Sequence, residues 1–331
     1  MKRKNIYTQL LKLFVTGAVI SWIIYTYGWN NIRTTVLQAQ PGWLFSGVVL
    51  FVISVFFGAV QWQIILENKK IVLPFEKTLR LYFIGIFFNN FILGTIAGDA
   101  FKVASLHLDK RNGKASFAAT FLDRLAGLIA LSLFAIVGGT VIFVSNIQQN
   151  KQFFMVLGVL ALFVGIFFGF FIILLSRRLQ NALRNLLRNI PSFPAKELIL
   201  NVLEETFINR RGKEDKKMLL QVGLLSLIIQ SLRIMVNIFA ARALGIFSIS
   251  TLHYFFVIIP IVALMVTIPM PFGVRETVGG ILFGLAGFSV DQSVVMLFLA
   301  TIVCVSGSLT GGVLFLIDKK NRLEKPALKP K

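Results

Sequence analysis

The chain contains long apolar segments, each about as long as a membrane-spanning helix. Of its 331 residues, 56% are hydrophobic and 15% are charged, whereas a soluble domain has about 25% charged residues. A bilayer core about 30 Å thick is crossed by about 20 apolar residues in a helix, so the segments predict an all-α polytopic membrane protein. The eight segments lie at roughly 9–27, 43–66, 79–97, 115–145, 153–175, 218–243, 252–269 and 291–317.

Lysine and arginine residues are concentrated in four regions between and beyond these segments. They are the N-terminus, the loop 67–80, the loop 176–217 and the C-terminal tail. Because basic loops stay on the cytoplasmic side of a membrane, all four regions are predicted to be cytoplasmic. The connections 28–42 and 146–152 each contain one basic residue and are predicted to lie outside. Both termini of the chain are therefore expected to be cytoplasmic.

Eight plain transmembrane helices conflict with this charge distribution. They would place two basic regions outside, the segment 98–114 and the loop 176–217, which has ten basic residues. The conflict disappears if 79–112 is a re-entrant hairpin broken near 94–98, and 252–290 is a second hairpin broken at 269–273. Non-helical backbone at membrane depth is tolerated where protein shields it or where it lines a wet cavity. We therefore predict six full spans and two re-entrant hairpins, with eight plain helices as the alternative.

The two hairpins give the chain an internal symmetry. Span, hairpin and span follow one another in two halves, about 43–145 and 218–317, with opposite directions across the membrane. Inverted-topology repeats of this kind are found in many transporters. The return piece of the first hairpin, Asp99 to Asp109, is predicted to be an amphipathic helix. We interpret residues 1–331 as a single membrane domain, with 176–217 as a basic cytoplasmic connector.

Three acid–base pairs lie within or directly beside the membrane segments. A charged side chain there costs at least about 2.5–3.5 kcal/mol on insertion scales, which makes such residues functional candidates. The pairs could also serve structure alone, by neutralising each other or by capping broken helix ends. Asn89 and Asn90, before the first break, are expected to hydrogen-bond the interrupted backbone. The pairs are Asp99 with Lys102, Asp123 with Arg124, and Arg275 with Glu276.

We expect these pairs to converge, because both hairpin tips should reach the middle of the bilayer. The helices that begin after each break direct backbone N–H groups and the positive ends of their dipoles into the shared space. With Lys102, Arg124 and Arg275 nearby, this space suits an anion such as a lipid phosphate. Two further arginines, Arg233 and Arg242, are interpreted as residues that pack against neighbours or snorkel.

No cofactor is expected. One cysteine and two histidines are too few for a four-ligand zinc site of these residues, and the sequence lacks the glycine-rich lysine loop that binds nucleotides. The net charge of +20 would indicate nucleic acid in a soluble protein, but no nucleic-acid motif is present. The basic loops fit an anionic lipid surface instead.

Three short motifs resemble the lysylphosphatidylglycerol synthase transmembrane region family, whose members are also called flippase-like domain proteins. The resemblance covers about 10–317 and implies a membrane domain that moves lipids between leaflets. In two-part synthases this domain is followed by a soluble aminoacylating domain, whose activity is not expected here. The motifs are Gly98-Asp99-x-x-Lys102, Asp123-Arg124-Leu125-x-Gly127-Leu128 and Pro269-x-Pro271-x-Gly273-Val274-Arg275-Glu276.

The expected function is therefore lipid translocation in the plasma membrane, without covalent change to the lipid. The substrate would be an anionic or aminoacylated phospholipid or a polyprenyl phosphate, and a partner synthase is possible. One alternative is a membrane-embedded lipid-modifying transferase. Such an enzyme would need catalytic acids or histidine on a membrane-facing loop, and the outer loops 28–42 and 146–152 contain no acidic residue. The other alternative is a non-transporting accessory subunit of a lipid or cell-envelope synthase.

Overall fold

The computed structural model describes five continuous parts of the chain and a few isolated positions. The predicted span 9–27 lies outside the described residues, as do the predicted span 153–175 and the connector 176–217 for the most part. The described parts are residues 37–91, 96–108, 113–144, 212–265 and 273–324, with Arg33, Thr34 and scattered positions between 158 and 185.

The five continuous parts are helical. Within them no strand is present, and a short 3-10 helix, Ile249–Thr251, separates two of the α-helices. The α-helices are α1 (Pro41–Asn68), α2 (Phe75–Phe91), α3 (Ala97–Leu108), α4 (Gly113–Val144), α5 (Lys213–Ala243), α6 (Leu252–Met265), α7 (Val274–Leu285) and α8 (Val290–Glu324).

Four of the described helices, α1, α4, α5 and α8, are long and apolar enough to cross a membrane. Their bounds follow the predicted segments 43–66, 115–145, 218–243 and 291–317 closely. This confirms a multi-pass α-helical membrane protein. The agreement has a simple cause: without water, a spanning backbone must satisfy its own hydrogen bonds, and an uninterrupted helix does this.

The remaining helices are short, and they flank the predicted breaks. Helix α2 ends at Phe91 and α3 begins at Ala97, while α6 ends at Met265 and α7 begins at Val274. Residues 99–108 of the predicted return piece, Asp99 to Asp109, are helical within α3, and Asp109 lies outside the described residues. With 12 residues each, α3 and α7 are about 18 Å long, well short of a bilayer core of about 30 Å.

Polar contacts show which helix termini lie together at one end of the bundle. Asn68, at the end of α1, donates a hydrogen bond of 2.8 Å to Asp215 in the first turn of α5. Arg80, near the start of α2, forms a 2.7 Å ion pair with Asp318, late in α8. These residues come from three of the regions that are rich in lysine and arginine.

Helix α4 starts at this same end. Leu122 of α4, Ile65 of α1 and Met218 of α5 line one small apolar cavity. Helices α2 and α4 therefore both begin at this end of the bundle, with α3 between them in the chain. The opposite end is marked where the backbone N–H of Gln40, before α1, donates to the carbonyl of Ala243, the last residue of α5, at 2.9 Å.

The second pair of short helices returns to that opposite end. The ring of Phe255, in the first turn of α6, lies 5.0 Å from the ring of Phe283, near the end of α7. The same Phe255 ring lies 5.8 Å from the ring of Phe247, which is in the connection between α5 and the 3-10 helix. Aromatic pairs at this separation pack favourably, and they hold the two ends of the α6–α7 hairpin together.

Helix α2 lies between α3 and α8 at very short backbone distances. A β-carbon at Gly98 would lie 1.8 Å from the carbonyl oxygen of Gly85, and one at Gly311 would lie 2.1 Å from that of Phe83. Small residues allow helices in membranes to approach this closely. The first hairpin is therefore held in place by glycine contacts on both sides of α2.

Candidate functional site

The first acid–base pair lies at the start of α3, directly after the first break. Asp99 Oδ1 is 3.1 Å from the Nζ of Lys102, as expected for residues three positions apart on a helix. Asp99 Oδ2 also lies 2.7 Å from the Nε of Arg124 on α4. The side chain of Asn89 accepts a 2.8 Å hydrogen bond from the backbone N–H of Gly98, which confirms its predicted contact with the interrupted backbone.

Asp123 is buried, with 7% of its surface exposed, and is bound by residues of the first hairpin and α1. Gln61 donates to its Oδ1 at 2.8 Å and the Tyr82 hydroxyl to its Oδ2 at 3.3 Å. The Nζ of Lys102 lies 4.0 Å from Oδ2. Asp123 and Arg124 therefore bind different partners, because consecutive helical side chains point about 100° apart.

Lys102 is 3% exposed and is surrounded by both charge and aromatic faces. Its Nζ lies 5.1 Å from the ring centroid of Trp62 and 4.7 Å from that of Tyr82, within the range of cation–π attraction. Lys102 and Arg124 balance the charges of Asp99 and Asp123, so these four form a neutral network. We call them the first cluster.

The second cluster is formed by Arg275 and Glu276 at the start of α7. Gly273 precedes the helix with a φ of 98°, a conformation that glycine adopts without steric cost. Its N–H donates to Glu276 Oε2 at 3.0 Å. Glu276 Oε1 accepts a 2.7 Å hydrogen bond from Thr301 of α8 and lies 3.0 Å from an Arg275 nitrogen. Arg275 also hydrogen-bonds the Thr301 hydroxyl.

Both breaks reach the same part of α8. The side-chain amide of Asn90, just before the first break, lies 3.5 Å from the carbonyl oxygen of Cys304. One turn earlier on α8, Thr301 binds the residues that follow the second break. Asn90 was expected to bond the interrupted backbone, and its described contact is with α8 instead. The structure thus brings the six predicted residues into two clusters, one of four residues and one of two.

Several residues that bind the charges of these clusters belong to none of the three sequence motifs. Gln61, Tyr82 and Thr301 were not singled out from the sequence, although each bonds a predicted charge. The signal that could have identified Gln61 is a polar residue inside an otherwise apolar span. It is 2% exposed, and a buried amide requires a partner.

Comparisons with known proteins confirm the family that the motifs resemble. The family model described as Lysylphosphatidylglycerol synthase TM region matches residues 9–310, a range that contains both clusters. A UPF0104 membrane protein of Pyrococcus horikoshii is 29% identical over 128 residues, or 37% of this chain. The match spans 38% of the length of that relative. No solved structure matches the chain.

Proposed function

This chain belongs to the lysylphosphatidylglycerol synthase TM region family, and we propose that it is a lipid translocase of the plasma membrane. It moves an anionic or aminoacylated phospholipid, or a polyprenyl phosphate, between leaflets without covalent change. One observation carries the proposal: four charges of the first cluster are held among apolar helices beside a helix break. Buried ion pairs contribute little net stability, whereas ionisable groups in membranes mark substrate paths.

The hairpins, in this proposal, are re-entrant and the two halves of the chain form an inverted repeat. Support comes from the length of α3 and α7 and from the return of each hairpin to the end where it started. The long helices α1 and α5 occupy corresponding places in the two halves. The end that carries Asn68, Arg80, Asp215 and Asp318 is cytoplasmic, together with both termini, because it adjoins the basic regions.

A lipid phosphate would enter the first cluster by competing with Asp99 for Arg124. The Arg124 side chain is 36% exposed, against 4% for Lys102, so it is the more accessible cation. A guanidinium can bind a phosphate through two parallel hydrogen bonds. Asp99 would then retain Lys102 as its partner, which limits the cost of the exchange. The acyl or prenyl chains would stay among the lipid-facing apolar residues while the headgroup moves.

Proteoliposomes without nucleotide or partner protein test this proposal. Fluorescent phosphatidylglycerol in the inner leaflet should become accessible to a membrane-impermeant quencher faster than in protein-free vesicles, and phosphatidylcholine serves as the neutral control. Arg124→Ala and Arg275→Ala should abolish the movement while the variants remain folded. Normal movement in both variants would rule out the clusters as the headgroup path.

The same experiment separates the two alternative functions. A lipid product of changed mass would indicate a membrane-embedded transferase. Movement that requires a co-purified synthase would indicate an accessory subunit. Mass spectrometry of lipids that co-purify with the chain would identify the class of headgroup in each case.

A further inference from the structure

Helix α5 ends beside a cleft, at the end of the bundle that is the outer one in the proposed topology. The cleft has a volume of about 280 Å³ and is lined by Trp43 of α1, Arg242 of α5, Gly245, Phe247 and Ile249. Gly245 has a φ of 69°, and its N–H donates to the carbonyl of Arg242 at 3.0 Å. Glycine makes this turn after a helix without steric cost. The turn redirects the chain so that Phe247 lies against Arg242.

The guanidinium group of Arg242 is held against two aromatic rings. Its Cζ lies 5.0 Å from the ring centroid of Trp43 and 5.0 Å from that of Phe247, within the range of cation–π attraction. Both rings are fixed by further ring contacts, Trp43 with Phe239 at 5.2 Å and Phe247 with Phe255 at 5.8 Å. Arg242 itself is exposed. The cation is therefore positioned by the fold and still accessible from the cleft.

No acidic residue is paired with this cation within the described residues. The segments 37–42 and 244–252, which meet at this end, contain no acid. Asp291, at the start of α8, forms no ion pair with Arg242, and the guanidinium has no hydrogen-bond partner in the described part of the chain. The dipole of α5 favours a cation in its last turn, but the dipole does not account for the cleft or for the two rings.

An apolar stripe on α5 leads from Arg242 into the membrane. Met235 and Ile228 are 39% and 44% exposed, and they precede Arg242 by 7 and 14 positions. Residues seven apart on a helix face the same side, to within about 20°. At about 1.5 Å per residue they lie about 10 and 21 Å from Arg242 along the helix. These are depths of acyl chains in a bilayer core about 30 Å thick.

We propose that Arg242 and its cleft bind the phosphate of an anionic lipid in the outer leaflet, with an acyl chain along Met235 and Ile228. A guanidinium offers two parallel donors to a phosphate, and the segments around the cleft add no negative charge that would repel an anion. This extends the packing or snorkelling role that the sequence indicates for Arg242. Its part in transport, as the outer station of the headgroup, rests on the proposed function, whereas lipid binding does not.

Trp43 provides a direct measurement, because its ring touches the proposed site. The experiment uses a Trp22→Phe, Trp29→Phe background in phosphatidylcholine vesicles, where Trp62, with 0% exposure, serves as the shielded reference. Acyl-brominated phosphatidylglycerol should quench Trp43 at a mole fraction about fivefold lower than brominated phosphatidylcholine does, since one basic residue near a surface attracts an anionic lipid by about 1 kcal/mol. Loss of this preference in millimolar inorganic phosphate would assign the site to free phosphate and reject the lipid.

Variants of Arg242 decide the outcome. Arg242→Gln should make the two brominated lipids quench equally. Arg242→Lys keeps the charge but not the planar donors, so it should lose part of the preference. The matched control is Arg33→Gln, which removes the basic residue of the connection 28–42 and should leave the preference unchanged. Native mass spectrometry of phosphatidylglycerol retained by the full chain and by Arg242→Gln repeats the comparison with all four tryptophans in place.

Three results would overturn the inference. They are equal quenching by both lipids in the background protein, an undiminished preference in Arg242→Gln, and a full preference in Arg242→Lys, which would reject recognition by the guanidinium. A preference that depends on Arg242, without lipid movement in proteoliposomes, would retain the site and reject the translocase. Lipid movement without any such preference would retain the translocase and reject the site.

Discussion

Asp123 and Arg124 are neighbours in the chain, yet each belongs to a different ion pair. Asp123 faces Gln61, Tyr82 and Lys102, whereas Arg124 binds Asp99. Removing either residue leaves the remaining three charges of the first cluster unbalanced. Removing both leaves Asp99 with Lys102, which is a balanced pair. Variants of these two residues therefore separate a structural role from a functional one.

The prediction for this cluster compares Asp123→Leu, Arg124→Met and the double variant. Each single change should destabilise the protein, by less than the roughly 3–5 kcal/mol of a fully broken buried pair, because Asp99 keeps Lys102 while the cluster acquires a net charge. The double variant should recover most of this stability but should not move lipid, since the accessible cation is gone. Melting temperature and lipid movement in proteoliposomes are the measurements. Full activity of the double variant would show that the pair serves stability alone.

Thr301 connects Arg275 with Glu276 from the neighbouring helix α8. Thr301→Val replaces its hydroxyl by a methyl group of similar size and leaves a buried carboxylate oxygen with one partner fewer. We expect a loss of about 1–3 kcal/mol in the free energy of unfolding and slower lipid movement. Thr310→Val is the control, because its hydroxyl bonds within its own helix. Similar losses in both variants would contradict this role.

The first hairpin depends on a close approach between two glycines. A β-carbon added at Gly98, in the first turn of α3, would lie 1.8 Å from the carbonyl oxygen of Gly85. The backbone of α2 cannot move away freely, because Gly311 of α8 holds it on the other side through the Phe83 carbonyl. The position of Asp99, one residue after Gly98, follows directly from this contact.

Gly98→Ala is therefore expected to destabilise the protein by about 1–3 kcal/mol or more, as overpacking against rigid neighbours does. It should also displace Asp99 from Arg124 and so reduce lipid movement. The matched control is Gly223→Ala in α5, where an added β-carbon meets nothing within 4 Å. That change should be neutral or slightly stabilising, because alanine favours a helix more than glycine does. Equal melting temperatures for the two variants would argue against a tight hairpin.

The whole molecule has two ends that the basic regions assign to opposite sides of the membrane. The proposed topology places Val72, between α1 and α2, and Lys114, at the start of α4, on the cytoplasmic side. The same proposed topology places Ser248, after α5, on the outer side. All three residues are exposed, which makes them suitable for labelling from either side of the membrane.

Single-cysteine variants at these three positions, in a Cys304→Ser background, test the topology. An impermeant maleimide applied outside should label Ser248→Cys, and the other two should react only when the cytoplasmic side is open. Eight plain helices predict the reverse for Lys114 and Ser248, since each full span changes the side. Labelling of Val72→Cys and Lys114→Cys from opposite sides would reject the re-entrant hairpin.

The lengths of the helices, the positions of their interruptions and the pairing of Asp99 with Lys102 follow from the chain alone. These features depend on properties of consecutive residues: the apolar length that a bilayer requires, the charge of each loop, and the spacing of side chains on one helix. They need no knowledge of how the helices pack.

The composition of the two clusters does not follow from the chain in this way. Gln61 reaches Asp123 across 62 positions, and Asp99 reaches Arg124 across 25. Which of several polar residues meet in an apolar bundle depends on the rotation and depth of each helix. Packing sets both, through contacts such as the one between Gly85 and Gly98, and those contacts join residues that are distant in the sequence.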